Sequence, residues 1–261
     1  MQKILFLFFI LNCSILSGQE TQAEKNNVTL NYAYQLGESY KYKKITNRDS
    51  EVFYSYISIQ PLNTMTNGDT WYEFLLDSCN YFYKEKLIRA TRGKDLENAK
   101  INILYSKFGA LLKINLLNQK RNEYIQNSNN NSDDERFFEL PINPIGIGET
   151  WTTKKIDESD FYHTKNKNLN NILTGIESKN GYECYRINFS GNSADVAKQG
   201  DYTQTDNGVI NGSIWIDIER RIVIAIESEV MIQNSKAKHP GFSGNAPIKA
   251  SSYRTSVEFI E

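Results

Sequence analysis

The chain has 261 residues and a net charge of −1. That near-neutrality excludes the whole-surface positive field by which a domain binds nucleic acid or coats an anionic membrane. With 16 Tyr, 13 Phe and only five Pro, the composition favours strands over helices, and the length suits one large β domain or two small ones.

Residues 1–18 read as a secretory signal peptide. Lys3 supplies the positive start, the apolar run opens with "ILFLFFIL" (4–11) and reaches Leu16, and "LSGQ" offers small residues for cleavage between Gly18 and Gln19. A membrane anchor needs about 20 apolar residues, and here Asn12, Cys13 and Ser14 interrupt a shorter run. Cys13 raises the alternative of a lipoprotein, but Asn12 is not the small residue such a site wants. The expected product is residues 19–261, exported to the periplasm or outer envelope and soluble after cleavage.

The mature chain alternates with period two. In "SYKYK", Tyr40 and Tyr42 face one way and Lys41 and Lys43 the other. Strands follow at "VFYSYISIQ" (52–60) and "TWYEFLL" (70–76). Weak helical signals occupy "KDLENAK" (94–100) and "LLNQKRNEYIQ" (116–126), and "NSNNNSDDE" (127–135) reads as a polar loop. Further strands are expected at "LNNILTGIE" (169–177) and "YECYRINF" (182–189). "SIWIDIERRIVIAIESEV" reads as a hairpin broken at Glu219–Arg221, with Ile214, Ile216, Ile218, Ile222, Ile224 and Ile226 on its apolar face. Residues 234–250 read as a long loop, and 250–260 as a last strand with Val257 and Phe259 inward. One polar face per strand implies antiparallel pairing. Asn67–Gly68, Asn180–Gly181, Asn207–Gly208 and Asn211–Gly212 are each a hairpin-turn signal.

One phrase occurs twice: "GESYKYKKI" (37–45) and "GETWTTKKI" (148–156). The elements after each copy follow in the same order, which predicts two pseudo-repeated halves, about 30–126 and 140–233. In each copy Gly starts the strand, Tyr40 or Trp151 faces the core, and Lys43–Lys44 or Lys154–Lys155 lies at a strand end near water.

No residue pattern specifies chemistry. His163 and His239 have no partner at metal-ligand spacing. "GFSG" (241–244) is only part of a nucleophile elbow and precedes no helix. Asp217, Glu219, Glu227 and Glu229 are the candidate carboxylates for glycan hydrolysis, but alternation sets them on the solvent side of a sheet. Cys79 and Cys184 are expected as small, buried, unpaired side chains, with a disulfide the alternative that an exported compartment permits. No cofactor or metal is expected. The remaining candidates are aromatic. Tyr40, Trp71, Trp151 and Trp215 are either core anchors or the lining of a cavity that holds an apolar ligand.

"LGESYKY", "LPINPIGIGETW" (140–151), "LTGIESKNGYECYRI" (173–187) and "GSIWIDIERRIV" (212–223) together resemble an uncharacterised family of exported Bacteroidota proteins, a domain of unknown function. Its architecture is similar to that of the lipoprotein carriers LolA and LolB, in which a curved sheet wraps a greasy cavity. The resemblance covers roughly residues 30–233 and implies no catalytic residues. The resulting expectation is a mainly β protein, a strongly curved antiparallel sheet or partly open barrel with a few short helices. It would be non-enzymatic and bind a lipid or other apolar small molecule on its concave face. The alternatives are a packed interaction module and an envelope hydrolase.

Overall fold

The computed structural model describes residues 27–92, 100–116, 138–157, 163–245 and 252–260. The signal segment, most of both helical segments and the 127–135 loop lie outside these residues. The described residues contain no helix, and Lys100 and Leu116, the two helix-segment residues among them, are in strands.

Among the described residues thirteen strands join one antiparallel sheet. In chain order they are β1 (Tyr40–Arg48), β2 (Glu51–Thr64), β3 (Thr70–Tyr83), β4 (Lys86–Arg92), β5 (Lys100–Tyr105), β6 (Leu111–Leu116), β7 (Thr150–Asp157), β8 (His163–Lys179), β9 (Tyr182–Gln199), β10 (Tyr202–Asp217), β11 (Val223–His239), β12 (Phe242–Asn245) and β13 (Ser252–Phe259). The spatial order is β6-β5-β3-β2-β1-β13-β11-β10-β9-β8-β7, with β4 beside β3 and β12 beside β11. The sheet is therefore open, not a closed barrel. Each half of the chain is a meander, and β13 pairs with both β1 and β11 to join the two.

The register sorts side chains onto two faces. The inner face carries Tyr40 and Tyr42 of β1, Ile57 and Ile59 of β2, Tyr72 and Phe74 of β3, and Ile187, Ile214, Ile226 and Val257 of the second half. These form one core. Two non-strand segments cover it and are tied together by a bridge between Val28 and Ile145. The first contributes Leu30, Tyr32 and Tyr34, and the second Leu140 and Ile145. Buried phenols need partners. Tyr42 Oη donates to Val223 O at 3.0 Å, and Tyr34 and Tyr42 hydroxyls meet at 2.9 Å. Tyr32 Oη donates to Phe138 O at 2.9 Å and accepts from Phe138 N at 3.0 Å.

Several turn assignments change. Asn67–Gly68 and Asn180–Gly181 are turns, the latter with φ of 53° and 85°, the positive pair that a two-residue hairpin demands. Gly208 and Gly212 instead lie inside β10. A Cβ on Gly208 would overlap Met231 O, and one on Gly212 would overlap Phe189 and Glu227 O. Gly191 of β9 is similarly blocked by Asn168 O. These glycines permit close strand approach, a role of Gly in a strand interior. The expected 234–250 loop is also largely strand. β11 runs to His239, turns at Gly241 and returns as β12, with small Ser235 and Ala237 buried.

Candidate functional site

The register separates the four aromatic candidates. Tyr40 and Trp151 lie on the inner face, opposite Ile59 and Asn171. Trp71 and Trp215 lie on the outer face, since each alternates with inner-face neighbours, Tyr72 and Ile214. They do not converge on one cavity.

Tyr40 is a core residue. Its ring meets Tyr34 edge-on at 4.8 Å and its hydroxyl accepts from Gln35 N at 2.9 Å. Burial raises its pKa. Trp151 is only partly buried and donates from Nε1 to Glu139 O at 3.2 Å. The matched phrases thus begin alike, with Gly37 and Gly148 both at φ 85°, but their aromatics differ in burial.

Trp215 is buried on the outer face beneath charged side chains. Lys179 Nζ stands 4.1 Å over its ring and Arg186 5.6 Å. The indole donates to Glu177, which also accepts from Arg186. The indole hydrogen bond, with Arg186 and Lys179, lowers the Glu177 pKa. Lys179 Nζ also reaches Glu227 at 2.6 Å. Every polar group named in this cluster has a partner, which makes it a structural clamp across β8–β11.

A different set of inner-face residues stands out. Past the aromatic core, the inner face becomes polar yet stays buried. Lys44 and Thr46 of β1, Thr255 of β13, Ser228 and Ser235 of β11, and Lys167 and Asn171 of β8 are each buried. Lys44 lies mid-strand and buried, where the repeated phrase predicted a solvated strand end. Thr46 and Thr255 hydroxyls lie 3.4 Å apart. Asn171, 1% exposed, sits between Trp151 and Phe189 in the register. Its amide donates to Thr153 Oγ1 at 3.3 Å, while its Oδ1 accepts nothing. The unpaired buried carbonyl of Asn171 is costly, since it loses its water without gaining a partner. The sequence carries a partial signal: Lys44 has the same parity as Tyr40 and Tyr42.

The candidate carboxylates form no catalytic pair. Asp217 is buried, contrary to its expected solvent position, because it caps the β10–β11 turn and accepts from Glu219 N at 2.7 Å and Arg220 N at 2.8 Å. Glu229 pairs with Arg254 at 2.9 Å. Exposed Ser243 lies in β12, and His239 Nδ1 lies 2.9 Å from Pro240 O. Cys79 and Cys184 are free. Cys184 is fully buried, and burial together with Asp217 pushes its thiol up to about 12. Cys79 is half-buried. Among the described residues no cluster has the composition of a metal site, and no helix is long and apolar enough to cross a membrane.

No family model matches the sequence, and no curated protein is significantly similar to it.

Proposed function

We propose that the chain is an exported, non-enzymatic envelope protein that holds an amphiphilic molecule against the inner face of its sheet. The observation that carries this reading is the division of that face. An aromatic and aliphatic floor adjoins a buried polar strip that includes Lys44, Lys167 and Asn171. An apolar chain with a polar head matches such a surface, the head on the strip and the chain on the floor in place of the segments around Tyr32–Tyr34 and Leu140–Ile145 that cover it. The close strand approach at Gly191, Gly208 and Gly212 is compatible with the curved sheet of the carrier architecture that the sequence resembles. The two meanders and the matched strand entries at Gly37 and Gly148 support an origin in two repeated halves.

The opposite faces of the tryptophans supply the test. A stearic acid carrying a nitroxide quencher should quench Trp151 on the inner face and leave Trp215 unaffected. This is measured in variants that keep one Trp each, the others replaced by Phe. Equal quenching of both, or of neither, contradicts the reading. A second reading, a packed interaction module without ligand, is favoured by the filled tyrosine core. It predicts no quenching of either.

A further inference from the structure

The far end of the β3–β4 hairpin has properties that neither the core nor the polar strip requires. Residues 83–90 are all exposed. Three are large and apolar: Tyr83 at 43%, Leu87 at 49% and Ile88 at 53%. Within this segment Lys84, Lys86 and Arg89 outnumber Glu85, 3 − 1 = +2, and Arg48, Asp49 and Glu51 of the adjoining turn, whose Ser50 O accepts from Lys84 N, add 1 − 2 = −1. The stem is aromatic on both faces. Phe53 stacks on Tyr81 at 4.7 Å on the inner face, and Tyr54 meets Phe82 edge-on at 5.5 Å on the outer. Both faces of this stem therefore carry aromatic rings, alongside Asn80 on the outer face and Glu51, which accepts from Tyr81 Oη.

The turn itself is built at a cost. Lys84 and Glu85 have φ of 46° and 64°, a left-handed pair that Asn-Gly adopts far more readily. The same chain uses Asn180–Gly181 for the equivalent geometry. Retaining Lys84 at the tip, with its Nζ 5.5 Å over the Tyr83 ring, places a cation at the end of an apolar, aromatic projection.

We infer that this hairpin docks the protein on a bilayer surface rich in anionic headgroups. Tyr83, Leu87 and Ile88 enter the boundary between headgroups and acyl chains while Lys84 and Lys86 meet the lipid phosphates. Aromatic rings and long cations that keep their heads in water suit that boundary. Exposure on both faces and at the tip favours a bilayer over an added strand, which needs only the free backbone edge of β4. This inference is independent of the inner-face ligand.

The test is sedimentation of the mature chain with vesicles of phosphatidylcholine alone or mixed in equal parts with phosphatidylglycerol. Binding is expected to the mixed vesicles only, weakening as salt is raised. Lys84→Glu with Lys86→Glu should lower that binding roughly tenfold or more, and Leu87→Ser with Ile88→Ser should lower it on the same vesicles. All four side chains are exposed, and an unchanged urea midpoint verifies that each variant is folded. Absence of binding, equal binding to neutral vesicles, or binding unaffected by either double variant overturns the inference. Retention on immobilised polyglutamate, lost in the charge variant and without vesicle binding, would replace the bilayer with an acidic polypeptide.

Discussion

Replacing Gly191 by Ala adds one methyl group to an inner-face position of β9, and the structure leaves no room for it. The added Cβ would overlap Asn168 O and lie 2.9 Å from Asn168 C and 3.0 Å from Leu169 Cα. All three are backbone atoms of β8, so no rotamer change relieves the overlap. The only relief is to separate β8 from β9, which are paired along His163–Lys179. Inserting a methylene into a tight core costs about 1–3 kcal/mol when side chains can yield. With only backbone to yield, the expected cost is at the top of that range, about 3 kcal/mol. In a domain of this size that corresponds to a loss of roughly 6–12 °C in Tm. Urea denaturation and calorimetry of Gly191→Ala measure both quantities. A cost below about 0.5 kcal/mol would refute the argument that the strand-interior glycines exist for close approach.

Three further outcomes follow from individual side chains. Tyr40→Ala should cost about 3–5 kcal/mol as a large core truncation, and Trp151→Ala clearly less, because Trp151 is only partly buried; equal costs by denaturation would contradict the difference in environment. Asn171→Leu removes an amide whose Oδ1 is unpaired, so it should be close to neutral by urea denaturation; a loss above about 2 kcal/mol would show that the carbonyl is satisfied. Burial raises the pKa values of Tyr32 and Tyr72 well above 10. Each contributes stability that is complete below pH 10, where both states are protonated, and that is lost as pH rises further and only the unfolded chain ionises. Stability should therefore decline above pH 10, and Tyr32→Phe should flatten the decline in denaturation midpoints measured across that range.

Much of the sheet was legible because alternation is a local signal. The β10–β11 hairpin could be placed from Ile214, Ile216, Ile224 and Ile226 against a charged turn, and the short β1 from Tyr40 and Tyr42. Parity also places the tryptophans. Trp71 alternates with Tyr72 and Phe74, and Trp215 with Ile214 and Ile216, so their outer-face positions follow from the same rule that found the strands. Other features depend on partners distant in sequence. Asn180–Gly181 and Asn211–Gly212 are the same dipeptide. One turns the chain, and the other lets β10 approach Phe189 and Glu227, a difference set by neighbouring strands. Burial of Lys44 likewise depends on how the sheet bends over the inner face. The exposed hairpin was written in plain view as "YKEKLIRA", but its significance needed the observation that both faces of its stem are aromatic.

Native mass spectrometry of the mature protein, purified from its own envelope without detergent, tests most directly whether the inner face holds an amphiphile. The expected result is a protein mass accompanied by a discrete adduct that dissociates on collisional activation and fragments as an amphiphile. A chain found only at its ligand-free mass, while a lipid-binding control prepared in the same way keeps its adduct, would contradict it and favour the packed module.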